Sequence, residues 1–418
     1  MLNKKIIECN ELPIDIVNDA QYVILQQNPN EYSHSYFKYP CKFIPEIPRW
    51  FLKKYINKND IILDPFSGSG TTVLESSIRG IKSVGIEISK LSQLLAKVKT
   101  YKLNQEEIII INNFMDSLNK DIEIKYPEIE NLNHWFDKDN INKLSIIRAN
   151  IKEIENNHVV DFLNVCFISI IRKCSKADNV SPKPYVSKKI KKKICEPYIE
   201  FDKTINQYVD LNKKLNEIKY KNNMSEIIIG NATDFNLNNK FSGAITSPPY
   251  INAFDYVRIL RLETLWLELA DENELREIKK KHVGTENLVI KIFDEYQILE
   301  CSVLLKEYYE KIKIIDNKRA HIILKFFNDM KKNLQMVNNH LEDAGVYSIV
   351  IGNSNIRGIE IESWKVISQI SKYCGFIEEL HFSYQIRNHY LRIDRKTKGG
   401  KINSDHILVL RKISGTKK

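Results

Sequence analysis

Residues 61–87 constrain the fold more than any other stretch. Ile61-Ile62-Leu63-Asp64 is an apolar run ending in an acid, and Pro65-Phe66-Ser67-Gly68-Ser69-Gly70-Thr71-Thr72 follows it. This reads as a buried strand, a glycine turn and the start of a helix reaching about Arg79. Ser83-Val84-Gly85-Ile86-Glu87 is a second short strand that again ends in an acid. Gly68 and Gly70 allow close approach of backbone to a ligand, and the helix start at Thr71 presents free N–H groups. A carboxylate at Glu87, about twenty residues past the turn, can accept both hydroxyls of a ribose. A third glycine and a GK[ST] sequence are both missing, which makes NAD and ATP the poorer ligands.

A second constrained stretch is Thr246-Ser247-Pro248-Pro249-Tyr250, after the apolar Gly243-Ala244-Ile245. Two prolines fix φ at both positions and remove two N–H donors. Ser247 precedes a proline and is held extended. The Ser247 hydroxyl and nearby carbonyls therefore form a fixed acceptor pattern without competing donors. An exocyclic amine, with two N–H donors, suits it. Tyr250 adds a flat face for stacking on a planar ring.

Elsewhere the alternation of strand and helix breaks. Residues 1–55 read as an N-terminal arm with one helix, Ile47 to Tyr55, and residues 1–102 form the arm and the first half of an α/β core. From about 103 to 224 the pattern is helical, with a nearly all-apolar helix over Val159–Cys174. Strand chemistry returns at Glu226-Ile227-Ile228-Ile229, so 103–224 reads as an insertion. Residues 225–418 form the second half of the core, with a smaller irregular insertion at about 270–316. A helix over Ala320–Leu341 leads into a strand at Tyr347–Ile351.

Charge points to the partner. Lysine and arginine number 63 against 53 acids, a formal net charge of +10, which favours a polyanion. The stretch Ser181-Pro182-Lys183-Pro184-Tyr185-Val186-Ser187-Lys188-Lys189-Ile190-Lys191-Lys192-Lys193 is an exposed loop by its prolines. Its lysines 183, 188, 189, 191, 192 and 193 are candidates to neutralise phosphates, each adding a salt slope of about −0.9 on duplex DNA. Arg172, Arg258, Arg261, Arg357 and Arg387 have the fork that reads guanine, although structural roles suit most of them. The seven cysteines are scattered without a CxxC, so no metal site or disulfide framework is expected. His34, His389 and His406 read as structural. No apolar run approaches 18 residues; a cytoplasmic chain with free thiols, no signal peptide and no membrane role is expected.

DPFSGSGTT, then GIEIS, then TSPPY resembles the amino-methyltransferases of DNA. Further stretches are similar to theirs. Tyr39-Pro40-Cys41-Lys42-Phe43-Ile44-Pro45 resembles their N-terminal cofactor motif, and Gly230-Asn231-Ala232-Thr233-Asp234 resembles the loop bordering the cofactor adenine. Ser348–Ser354 resembles a later core strand with its loop, and Gly399–Lys412 a closing hairpin. The motifs span roughly 34 to 412, with long loosely matching segments between. The resemblance implies a Rossmann-like methyltransferase core of the α/β class with a mostly helical insertion, and S-adenosylmethionine as cofactor. It places Asp64, Phe66, Gly68, Gly70 and Thr71 at the methionine and ribose end and Glu87 on the ribose hydroxyls. Ile88 covers the adenine, Asn231 accepts from the adenine amine, and Lys42 and Phe43 close the site.

It also implies a reaction. Ser247 and the Pro248 carbonyl accept the amine hydrogens of a flipped base, Pro249 stiffens the loop and Tyr250 stacks. In this family S-PPY usually accompanies cytosine N4 and D-PPY adenine N6. The reading is a cytosine-N4 methyltransferase of duplex DNA in a restriction-modification or defence system, with a cognate restriction endonuclease as partner. Adenine N6 is the nearer alternative. An RNA or tRNA guanine amino-methyltransferase and an inactive DNA-binding member are the others.

Overall fold

The computed structural model describes residues 5–189, 191–251, 255–288, 290, 294–387 and 403–415. Eleven strands occur among them: β1 (Ile6–Cys9), β2 (Gln21–Ile24), β3 (Ile61–Asp64), β4 (Lys82–Glu87), β5 (Ser225–Ile229), β6 (Phe241–Thr246), β7 (Leu341–Gly352), β8 (Ser354–Ile356), β9 (Ile359–Ile361), β10 (Phe376–Gln385) and β11 (Ser404–Lys412). Nine form one sheet in the order β1-β2-β10-β11-β7-β6-β3-β4-β5, while β8 and β9 pair separately. In the large sheet β11 alone is antiparallel to its neighbours. This is the Rossmann-like α/β fold that the motifs imply.

Strand burial follows the pleat. Along β3 and β6, Leu63 and Ala244 face one buried cluster while Ile62 and Ile245 face another. The second cluster is capped by α1 (Glu46–Tyr55), which buries Ile47, Trp50, Phe51 and Leu52. The first lies under α12 (Val303–Ile315), α13 (Asn317–His340) and α14 (Ser363–Ser371). A sheet covered on both faces needs near-continuous apolar strands, which explains runs such as Ile61-Ile62-Leu63.

From β3 the chain follows α2 (Thr71–Ile78) to β4, and then α3 (Lys90–Thr100) outward. After β5 it returns to place β6 on the other side of β3. Strand order therefore reverses between β3 and β6, which opens a crevice at their carboxyl ends.

Between α3 and β5 lie α4 (Gln105–Asn113), α5 (Leu132–Trp135), α6 (Lys138–Lys152), α7 (Asn157–Ile171) and α8 (Pro197–Asn216). They share an apolar core with α3 and with α10 (Arg261–Trp266). Just before α10 comes the short α9 (Tyr256–Ile259), and after it α11 (Glu272–Lys281).

Two expectations need correction. The N-terminal arm is not merely an arm, because β1 and β2 extend the sheet edge. Ser383 and Tyr384 of β10 register with Gln21 and Tyr22, and Asp19 N donates to His381 O at 2.7 Å. The segment at 270–316 is not irregular either: α11, a 3-10 turn over Tyr296–Cys301 and α12 occupy most of it. A capping box in which Asp271 and Glu274 exchange backbone bonds starts α11.

Candidate active site

The glycine turn after β3 is fixed by hydrogen bonds on three sides. Phe66 N donates to Asp64 Oδ1 and to Thr246 Oγ1, each at 3.1 Å. Ser67 N reaches Ile86 O at 3.0 Å. Gly68 N donates to Glu87 Oε2 at 2.9 Å, and the other carboxylate oxygen takes Ser89 N at 2.9 Å. The Thr246 hydroxyl donates to Asp64 Oδ1 at 2.6 Å, which ties the end of β6 to the end of β3 just ahead of Ser247.

These strand ends and the loops facing them line an open cavity. From the predicted cofactor set, Lys42, Phe43, Phe66, Gly68, Thr71, Glu87, Ile88 and Asn231 line it. From the predicted amine pocket, Ser247 and Pro249 line it. The buried hydroxyls of Ser67 and Ser69, also in the lining, have no protein partner. Buried polar groups are normally satisfied, so these two fit a polar ligand seated on the glycine turn.

Four predicted residues, Asp64, Gly70, Pro248 and Tyr250, stand outside the lining. Asp64 carries the bond to Thr246. Gly70 has φ +83°, and a Cβ there would lie 2.7 Å from Ala96 Cβ. It is needed for its left-handed backbone and for contact between α2 and α3, not for approach to a ligand. Pro248 is buried behind Ser247. The Tyr250 hydroxyl donates to Asp405 Oδ1 at 2.7 Å, and Tyr384 OH donates to Asp405 Oδ2 at 2.8 Å. Asp405 on β11 thus clamps the Tyr250 ring from its far end.

Three assigned roles change with the geometry. The Lys42 ammonium donates to the carbonyls of Pro29 and His34; burial lowers it to about 8, and it holds the N-terminal loop instead of closing the site. Asn231 Oδ1 accepts from Thr233 N and Thr233 Oγ1, each at 3.0 Å. That oxygen shapes its own loop and is not available to an adenine amine. Lys192 Nζ donates to the carbonyls of Arg172, Ser175 and Ala177, so it anchors the basic loop from beneath and does not face phosphate.

Arg172 donates to the carbonyls of Asp178, Ser181 and Pro182 from the same side. Lys183, Lys188, Lys189, Lys191 and Lys193 remain exposed. Arg261 pairs with Glu272 and Arg357 with Asp316, and Arg387 donates to the carbonyls of Ile24 and Leu25. His34 is buried against Glu75 at 2.8 Å, and burial lowers it to about 4. His389 and Gly399–Ile402 lie outside the described residues.

The sequence reading missed several lining residues: Tyr39, Cys41, Tyr256, Lys281, His282 and Val283. Tyr39 and Cys41 sit within a quoted motif. Tyr256 stacks between Tyr39 and His282, with ring centroids 6.2 and 6.0 Å apart. Nothing local marks Lys281 or His282, which reach the cavity because α11 ends there.

Burial pushes the Glu87 carboxyl up to about 7, against N–H donors at Ser89, Gly68 and Ile88 and reinforced by nearby Asp64. A folded value above the unfolded value of about 4.5 means the folded chain holds the proton more tightly. Its contribution to stability is present at low pH and is lost as pH rises from about 4.5 to 7. A ligand offering a ribose diol needs the carboxylate, so its binding has the opposite trend. Calorimetric affinity for such a ligand should strengthen by up to about tenfold per pH unit between pH 5 and 7. Glu87→Gln should flatten that dependence; a variant that keeps the full slope would assign the titration elsewhere.

Residues 14–97 match the family model for DNA methylase. The match contains α1, β3, the glycine turn, α2 and β4. The chain is 25% identical over 399 residues to the Type II methyltransferase M.MvaI of Kocuria varians, covering 87% of this chain and 86% of that protein. It is 27% identical over 312 residues to the Type II methyltransferase M.BsoBI of Geobacillus stearothermophilus, covering 64% and 58%. A stretch of 98 residues is 39% identical to the Type II methyltransferase M.MjaII of Methanocaldococcus jannaschii, covering 23% and 18%. No described helix is long and apolar enough to cross a membrane.

Proposed function

We propose that this chain is an S-adenosylmethionine-dependent DNA methyltransferase of a restriction-modification system, acting on the N4 amine of a cytosine turned out of the duplex. One observation carries the reading. The ends of β3 and β6 are bonded through Asp64 and Thr246, and residues of the glycine turn together with Ser247 and Pro249 open on one cavity. The match to DNA methylase and the similarity to Type II methyltransferases support it.

When bound, the sulfonium cofactor supplies a methyl group that is already activated. Glu87 takes the ribose hydroxyls, and the Ser67 and Ser69 hydroxyls supply polar contacts on the turn. Ser247 and the Pro248 carbonyl accept the two amine hydrogens of the base. That holds the nitrogen lone pair toward the methyl and favours loss of a proton as positive charge develops on nitrogen. Serine is too weak a base to remove that proton unaided, so its role is orientation. Tyr250 stacks on the ring, and the Asp405 clamp fixes it in place. Turning the base out costs roughly a few kcal/mol, which pocket contacts offset.

Lys183, Lys188, Lys189, Lys191 and Lys193 meet the phosphate backbone, and the helical insertion at 103–224 carries recognition. Serine at position 247 favours cytosine over adenine by the family tendency. Sequencing DNA from cells that express the chain, by chemistry separating N4-methylcytosine from N6-methyladenine, tests the reading. Methylcytosine at one recurring sequence is expected. Methyladenine alone would overturn the N4 assignment.

A further inference from the structure

α11 packs on the insertion and ends at the amine pocket. Its Leu275 is buried in the apolar core that the insertion helices share with α10. The rest of its length is fastened to the chain just after the Ser247–Tyr250 loop. Arg261, at the start of α10, pairs with Glu272, with Nε donating to Oε2 at 3.0 Å. Lys279 Nζ donates to Asp255 Oδ2 at 2.6 Å, and Asp255 also caps α9 by accepting from Arg258 N at 3.1 Å. His282 stacks on Tyr256 with the ring planes 10° apart. His282 and Val283 then line the same cavity as Ser247 and Pro249.

Gly284 makes the contact with the amine-pocket loop. Its φ is +78°, and a Cβ there would lie 3.1 Å from Tyr250 O and 3.9 Å from Pro249 Cβ. The first distance is tighter than an ordinary Cβ contact, so something would have to move. Phe326 Cδ2 is 3.8 Å from the same point and belongs to a fully buried ring of α13. Gly284 therefore has little room to withdraw, and the Tyr250 carbonyl would give way. The missing side chain lets the loop after α11 lie directly on Pro249 and Tyr250. Asp405 holds the hydroxyl end of Tyr250, and Gly284 holds its backbone end. Movement at Tyr250 passes back to Ser247 through two prolines whose φ is fixed.

We infer that α11 and the loop His282–Gly284 splint the amine pocket to the helical insertion, and that Gly284 is the positioning residue on which the alignment of the Ser247–Tyr250 loop depends. The inference rests on the methyl-transfer reading above. Transfer requires the amine nitrogen in line with the methyl at about 3–3.5 Å, and a misplacement of about 1 Å can cost on the order of 10²-fold in rate.

The test is single-turnover transfer of labelled methyl from S-adenosylmethionine to duplex DNA, both saturating, by the full chain. Gly284→Ala should slow the step roughly 10–100-fold, while calorimetric affinities for cofactor and duplex stay within about twofold of the wild type. Gly358→Ala is the control. Gly358 lies in the turn between β8 and β9 at φ +88° with nothing within 4 Å of a Cβ, so it carries the backbone strain without the contact and should keep the wild-type rate. Lys279→Gln frees α11 from Asp255 without adding an atom to the loop, and should slow the step about 3–10-fold. Should Gly284→Ala not fold, the Lys279→Gln rate decides alone. A folded Gly284→Ala with the wild-type rate overturns the inference and leaves the methyl-transfer reading intact. So does a Gly358→Ala variant that slows as much, or a Gly284→Ala loss matched by an equal loss of cofactor affinity. A wild type that binds cofactor and duplex but transfers no methyl overturns both.

Discussion

Ser247→Ala should lower the single-turnover methylation rate by about 10²–10³-fold, the usual effect of losing one polar group aimed at developing charge. Affinity for duplex DNA should change little, because the hydroxyl acts at the transition state more than in the ground state. The position is well defined. Thr246 is bonded to Asp64, Pro248 and Pro249 follow, and Ser247 itself faces the cavity. Alanine keeps that backbone, so the loss should appear in kcat and not in KM. A variant that retains the wild-type single-turnover rate would remove Ser247 from the chemistry.

Glu87→Ala should weaken cofactor binding by at least about 1–3 kcal/mol, since two ribose hydroxyls lose their acceptor. The structure adds a second loss. Both Glu87 oxygens hold backbone N–H groups, one in the glycine turn and one at the start of α3. Removing the carboxylate frees the turn that carries Ser67 and Ser69. Glu87→Gln keeps one carbonyl oxygen and should retain part of the affinity. Calorimetry on the two variants separates these contributions. Equal affinity in wild type and Glu87→Ala would place the cofactor elsewhere.

The half of the core that positions the site was legible because its signals are local. The apolar runs of β3 and β4, the glycines between strand and helix, and the terminal acids can each be read within a few residues. The same holds for the proline-locked loop at Ser247. What escaped depends on distant partners. Gln21–Ile24 is a strand because β10 supplies a partner more than 350 residues away, and Ile6–Cys9 pairs with Gln21–Ile24 in turn; four residues alone carry no sign of that pairing. Gly70 reads locally as a residue for ligand approach, yet Ala96 on another helix determines its use.

Lysines show the same divide. Lys191, Lys192 and Lys193 are chemically equivalent in the sequence. Three backbone carbonyls face the middle one, and it becomes a structural anchor. Lys281 is a plain helix-terminal lysine until α11 ends at the cavity. Tyr250 reads in the sequence only as an aromatic after two prolines; the Asp405 clamp on its hydroxyl comes from β11, 155 residues later.

The central claim is that the glycine turn and the Ser247 loop form one site for methyl transfer to a cytosine amine. Incubating the purified chain with methyl-labelled S-adenosylmethionine and duplex DNA, then digesting the DNA to nucleosides, tests it most directly. Label in N4-methylcytosine, lost in Ser247→Ala and in Glu87→Ala, is the predicted result. No label in any nucleoside, from a chain that binds both the cofactor and the duplex, would contradict it.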